Sequence, residues 1–191
     1  MKRIKIFFAA LILVAVLPAA ARAENSALVQ LSLFNPVQLF PSDYSVKGLR
    51  FNLIYGENEN IYGLDFGLVN KANGEVKGVE AGIWNQVEGD FAGIQYGLVN
   101  ITKGNFVGLQ DGYVNWAGGD FTGVQYGLVN TVEGHMSGLQ AGIFSRAAHL
   151  SGVQLGLWNQ ADISSGLQIG LININENKDP LGFFPIVNWH F

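Results

Sequence analysis

A row of polar side chains recurs along this chain, and it is the arrangement best suited to contact a solute. Its members stand fifteen residues apart as far as Gln140 and fourteen apart after it. They are Arg50, Asp65, Glu80, Gln95, Gln110, Gln125, Gln140, Gln154 and Gln168. Because amides both donate and accept hydrogen bonds, the row could line a water-filled constriction. It could equally form a ladder of glutamines that only holds neighbouring strands in register.

The charged start of this row predicts an ion pair. An unpaired charge in a dry interior is costly, so Arg50 is expected to pair with Asp65 and Glu80.

The residue types that usually carry catalysis do not have the spacing of any known catalytic or metal-binding motif. The three histidines, His135, His149 and His190, belong to no metal-ligand motif. No serine stands in an ordered Ser-His-Asp arrangement. We therefore predict that the protein is not an enzyme and has neither a metal site nor a cofactor.

The elements that must position the polar row are copies of one fifteen-residue unit. Residues 93–100 read GIQYGLVN and residues 123–130 read GVQYGLVN. Such a unit cannot bury an apolar face alone, so the copies must stack or pair into one continuous sheet. Each copy predicts a strand of roughly ten residues followed by a polar turn. The chain is therefore predicted to be all-β.

Alternation along a strand divides each copy into two faces. One face carries Phe91, Gly93, Gln95, Gly97 and Val99. The other face carries Ala92, Ile94, Tyr96, Leu98 and Asn100. The first face is a palindrome about its glutamine, which places like residues at like heights in strands that alternate in direction. This pattern favours an antiparallel meander.

A second periodicity also favours hairpin pairs. Tyr96 and Tyr126 occupy the slot that holds Ala81, Asp111 and Ala141 in the intervening copies. This thirty-residue super-period suggests a two-strand unit. The asparagine that ends each strand is interpreted as a turn residue that bonds to its own backbone.

Residues 1–23 have the pattern of a secretory signal peptide, with a basic start, an apolar run and a small-x-small cleavage signal. Residues 24–191 are predicted to form a single repeat-built β domain. They retain seven of the eleven basic residues and all fifteen acidic ones, so their net charge is −8. This charge argues against a nucleic-acid partner. The chain contains no cysteine and so has no disulfide.

The C-terminus carries an alternating apolar pattern that ends on phenylalanine. Val187, Trp189 and Phe191 resemble the terminal strand signal of outer-membrane β-barrel proteins. The repeat Gly-Leu-Gln-x-Gly-Leu-Val-Asn resembles the surface-repeat family of exported bacterial proteins, from about Gly48 to the C-terminus. This family resemblance implies a protein of the bacterial envelope, and it implies no activity and no binding residues.

These patterns together predict an antiparallel meander β-barrel of about ten to twelve strands in the outer membrane of a Gram-negative-type bacterium. Its role would be structural or pore-like, and its partners would be membrane lipid and the outer-membrane assembly machinery. The alternative is a soluble exported β-solenoid that buries the Leu/Ile/Val face, displays the Gly-Gln-Gly face and acts as a surface interaction module. Asp111, which lies mid-strand on the face assigned to lipid, favours this alternative.

Overall fold

The computed structural model describes residues 25–177 and 182–189, which form a β-solenoid of about 10 turns. The predicted signal peptide and Phe191 lie outside the described residues. The strands are β1 (Ser26–Phe34), β2 (Val37–Gln38), β3 (Ser45–Asn58), β4 (Ile61–Ala72), β5 (Val76–Ala81), β6 (Trp84–Val87), β7 (Phe91–Thr102), β8 (Phe106–Ala117), β9 (Phe121–Tyr126), β10 (Val129–Leu150), β11 (Val153–Ser164), β12 (Leu167–Asn175) and β13 (Phe183–Trp189). In the described ranges, no helix has the length and apolar character needed to cross a membrane.

One solenoid turn has two strand sides joined by a bend. In β7, residues 91–96 form the first side and pair with β5, and residues 99–102 form the second side and pair with β6. The bend lies at residues 97 and 98, the counterparts of residues 82 and 83 that separate β5 from β6, and residues 103–105 make the turn that leads to β8. The bend shifts the inside-outside alternation by one residue, so that both Gln95 and Asn100 point into the coil.

The turns stack in parallel, and each residue pairs with its counterpart one repeat away. Gly93 pairs with Gly108, and Gln95 pairs with Gln110. Among the described strands, antiparallel pairing occurs only at the two ends, between β1 and β2 and between β12 and β13. The prediction of an antiparallel meander barrel is therefore wrong, and the solenoid alternative fits the structure better. Parallel stacking also places like residues side by side, and it does so without needing a palindrome.

The two faces of each strand are inverted relative to the predicted solenoid. The glutamines are fully buried, whereas Ile94 and Leu98 are 44% and 45% exposed. The apolar core has one narrow row of buried side chains on each strand side. The row on the second side includes Val87, Ala117 and Val132. In the row on the first side, Phe91, Phe106 and Phe121 stack with ring centroids 4.7–4.8 Å apart. This distance is the spacing between neighbouring strands, so each ring meets the ring of the next turn. A coil this narrow encloses amides and these two apolar rows rather than the Leu/Ile/Val face.

One glycine position on the first strand side has a backbone conformation that other residues rarely adopt. From Gly63 to Gly138, this glycine has φ between 131° and 147° in six successive turns. A Cβ atom at each of these positions would collide with the backbone of the previous turn. Glycine is required there both for conformation and for space.

The described C-terminal residues form the last strand of the solenoid. On β13, Val187 pairs with Ile169 and Trp189 pairs with Leu167, both on β12. Trp189 is 61% exposed. The two described residues of the terminal pattern thus lie on a strand that caps the open end of the stack.

Candidate functional site

The predicted polar row forms a continuous hydrogen-bonded column inside the coil. Gln110 Nε2 donates to Gln95 Oε1 at 2.8 Å, and Gln125 Nε2 donates to Gln110 Oε1 at 2.8 Å. The same bond repeats to Gln168, whose Oε1 accepts from Asn188 at 2.8 Å. Each glutamine of the row is fully buried. The amides bond to one another, so the row forms the ladder rather than the water-filled lining that a barrel would have required.

The charged residues form the N-terminal end of this column. Arg50 Nε donates to Asp65 Oδ1 at 2.8 Å, and Arg50 Nη2 lies 2.5 Å from Asp65 Oδ2. The next residue, Glu80, accepts from Gln95 Nε2 at 2.7 Å. Burial and the neighbouring charge of Asp65 raise the pKa of Glu80 from its ordinary value to about 8. When Glu80 is neutral, the charges at this end of the column are those of Arg50 and Asp65, which balance each other.

A second buried column consists of the asparagines near the beginning of the second strand side. Asn100 Nδ2 donates to Asn115 Oδ1 at 2.9 Å and to the carbonyl oxygen of Asp111 at 2.8 Å. The prediction that these asparagines form turns did not include this column. Their recurrence at the same step as the glutamines was the available signal, because self-pairing amides form ladders in stacked parallel strands.

The asparagine column is interrupted at Ser145. The hydroxyl of Ser145 and Oδ1 of Asn159, in the next turn, are both buried and have no hydrogen-bond partner. An asparagine at this position could accept from Asn130 and donate to Asn159, as its counterparts do in other turns.

We therefore expect Ser145→Asn to raise the free energy of unfolding by about 1–2 kcal/mol, because it satisfies two buried groups. Urea unfolding followed by circular dichroism measures this change. Ser137→Asn, on the exposed side of the same strand, is the matched control and should change stability by less than about 0.5 kcal/mol. An unchanged or lower stability for Ser145→Asn would show that the column does not tolerate the longer side chain.

Outside the coil, a groove of about 740 Å³ follows the bend across five turns. Its floor is backbone, contributed by glycines at one position of successive turns: Gly82, Gly97, Gly112, Gly127 and Gly142. One wall carries Tyr96, Asp111 and Tyr126, which are neighbours in adjacent turns. The opposite wall carries Leu98, Tyr113 and Leu128, with Ile83 and Ile143 at its ends. The groove is open, mostly apolar and lined with aromatic rings.

The floor glycines connect the groove to the interior columns. A Cβ atom on Gly112 would lie 2.5 Å from Asn100 Nδ2 and from the carbonyl oxygen of Gly97. No side chain therefore fits beneath the groove while the asparagine column is in place. The alternation of Tyr96, Asp111 and Tyr126 predicted a hairpin unit, but the strands that carry these residues are parallel. In stacked turns the same alternation places the three side chains on one wall.

The histidines of the turns do not complete a metal centre. The rings of His135 and His149 stack with centroids 4.3 Å apart. Within residues 25–177 and 182–189, no group of three or more His, Cys, Asp or Glu side chains could hold a metal ion. We assign the pair no chemistry beyond this contact.

The chain matches no protein-family model, no curated protein and no solved structure. Its resemblance to the surface-repeat family therefore stays a prediction from the repeat residues. A function for the protein has to be inferred from the buried columns and the exterior groove.

Proposed function

We propose that the protein is an exported binding module of the bacterial cell envelope and that it binds through the groove. One observation carries this proposal. Large apolar side chains of the groove walls stay in solvent, with Leu98 45%, Leu128 46% and Tyr113 60% exposed. Soluble monomers rarely leave a contiguous apolar surface uncovered, and surfaces of this kind mark binding sites.

The buried columns support the same proposal by fixing the groove in shape. Each floor glycine lies above an asparagine that is bonded to the turns on both sides. Side chains on such a scaffold lose little freedom when a partner binds, which favours affinity. Repeat proteins commonly use extended surfaces built in this way for binding.

The proposed location rests on the sequence. The basic and apolar start of residues 1–23 supports export, and the repeat resemblance supports the surface of a Gram-negative-type bacterium. The predicted partners of a barrel, membrane lipid and the assembly machinery, lose their basis together with the barrel. We propose an envelope component as the partner, and we retain the prediction that the protein is not an enzyme.

Sedimentation with isolated bacterial envelopes tests the proposal. Purified residues 24–191 should bind saturably, and the double variant Leu98→Ser, Leu128→Ser should weaken binding about tenfold because it removes apolar area from one wall. Val107→Ser is the matched control, since Val107 is 54% exposed but lies outside the groove. Circular dichroism should show all variants folded. The proposal fails if the parent protein stays in the supernatant at every concentration, or if the groove variant and the control bind equally.

A further inference from the structure

The geometry of the groove points to a specific ligand class, and we propose that it binds an alkylammonium ion, a quaternary ammonium group carried on an apolar chain. This inference rests on the proposed function, because it names the ligand of the same surface. The ammonium group lies over Asp111, between Tyr96 and Tyr126, and the chain lies along the leucine wall.

The charge of the groove selects a cation. Of the described residues that line the groove, Asp111 alone carries a carboxylate, and none is a lysine or arginine. No ion pair between described residues involves Asp111. The net charge of −8 on residues 24–191 adds a field of the same sign. The groove therefore repels anions, and the carboxylate of Asp111 attracts cations.

The tyrosines select an organic cation. Asp111 pairs with Tyr96 on one side and with Tyr126 on the other, so each tyrosine lies one strand spacing, about 5 Å, from it. Tyr113 lies two residues further on, across the glycine floor. A cation above Asp111 thus lies near several tyrosine side chains, and quaternary ammonium groups are recognised by aromatic rings grouped in this way. A metal ion would need more oxygen ligands than this single carboxylate.

The rest of the groove selects an apolar chain without a second charge. Leu98 and Leu128 extend the wall on both sides of Tyr113, and the volume of about 740 Å³ suits a small organic molecule. A phosphate beside the ammonium group, as in a phosphocholine lipid, would meet Asp111 with no basic residue to offset it. The group recognised is therefore an alkylammonium ion with no adjoining phosphate, rather than a phosphocholine headgroup.

Isothermal titration calorimetry tests the role of the charge. Choline should bind about tenfold more tightly than its neutral isostere, in which a tert-butyl group replaces the trimethylammonium group. Hexyltrimethylammonium should bind more tightly than tetramethylammonium, because its chain contacts the leucine wall. Choline should also bind more tightly than phosphocholine.

Substitutions test the residues. Asp111→Asn should weaken choline binding about tenfold and remove the preference over the isostere. Glu133→Gln removes one exposed negative charge outside the groove and should leave the affinity unchanged. Tyr126→Phe, which keeps the aromatic ring, should bind within about twofold of the parent, whereas Tyr126→Leu should bind about fivefold more weakly. Thermal melting should show that each variant is folded.

Three results would overturn the inference. One is the absence of any heat of binding from the ammonium ligands to the folded protein. Another is equal affinity for choline and the isostere, and the third is phosphocholine binding as tight as that of choline. Sedimentation with envelopes tests the proposed function independently of these titrations, which test the ligand class. A protein that sediments with envelopes but ignores ammonium ligands would keep the proposed function and lose this ligand class.

Discussion

Replacing Gly123 by alanine is expected to lower the free energy of unfolding by about 4 kcal/mol or more. Gly123 has φ of +136°, and its Cβ atom would collide with the carbonyl oxygen of Gly108 in the preceding turn. Neither atom can move away without breaking the strand pairing above and below. The substitution therefore combines backbone strain with a steric clash.

Thr122→Ala is the control for this prediction, because Thr122 is the neighbouring residue, is exposed and has no such constraint. It should change stability by less than about 0.5 kcal/mol. Urea unfolding monitored by circular dichroism measures both variants. If Gly123→Ala were as stable as Thr122→Ala, the glycine column would have no role in the close approach of the turns.

Glu80→Gln is expected to stabilise the protein at neutral and alkaline pH. Because the pKa of Glu80 is raised from 4.5 to about 8, the folded state holds a proton that the unfolded chain has released between these two values. Stability therefore falls as pH rises through this window, by at most about 1.4 kcal/mol per pH unit, and levels off above it. A glutamine continues the amide column and needs no proton. The variant should exceed the parent by on the order of 3 kcal/mol at about pH 8 and approach it at about pH 5.

The pH dependence is measured as the difference between parent and variant, so that contributions from other groups cancel. Burial opposes ionisation of Glu57, but hydrogen bonds from Tyr55 and Lys71 outweigh it and lower the pKa of Glu57 to about 2. The stability from this group is lost only as pH falls below its ordinary range, outside the window of Glu80.

Gln125→Glu is the reverse substitution, since it places a carboxyl group in the column far from Arg50. A carboxylate there cannot donate to Gln110 Oε1, as Gln125 does. This variant should be destabilised by several kcal/mol at about pH 8 and by less at about pH 5. A parent protein whose stability rose from about pH 5 to about pH 8 relative to Glu80→Gln would show that Glu80 is ionised in the fold.

The period, the all-β class and the common height of the polar row followed from the sequence, because each depends only on spacing. Strand direction did not, since a palindrome about Gln95 is compatible with either direction. The asparagine column carried the missing information. Asn100 lies five residues from Gln95, so an antiparallel neighbour would place its own asparagine at the opposite end. Only parallel turns place Asn100 beside Asn115.

The inside and outside of the coil could not be assigned from hydropathy alone. A face rich in leucine and isoleucine is normally buried, yet here amides that bond to themselves take the interior. The bend at Gly97 also shifts the alternation, which moves Asn100 to the same side as Gln95. The groove depends on both effects. The bend provides the glycine floor, and the outward orientation of the aliphatic face places Tyr96, Asp111 and Tyr126 on one wall of the groove.

The fourteen- to fifteen-residue step of every ladder also determines how the chain can fold. Each turn pairs with the turn just made, so these contacts are local in sequence and loop closure costs little entropy. Once the turn that contains Arg50 and the next one, with Asp65, are paired, structure can grow turn by turn towards the C-terminus. If the protein is exported N-terminus first, as we propose, it can assemble in the order in which it emerges, without waiting for its last residues.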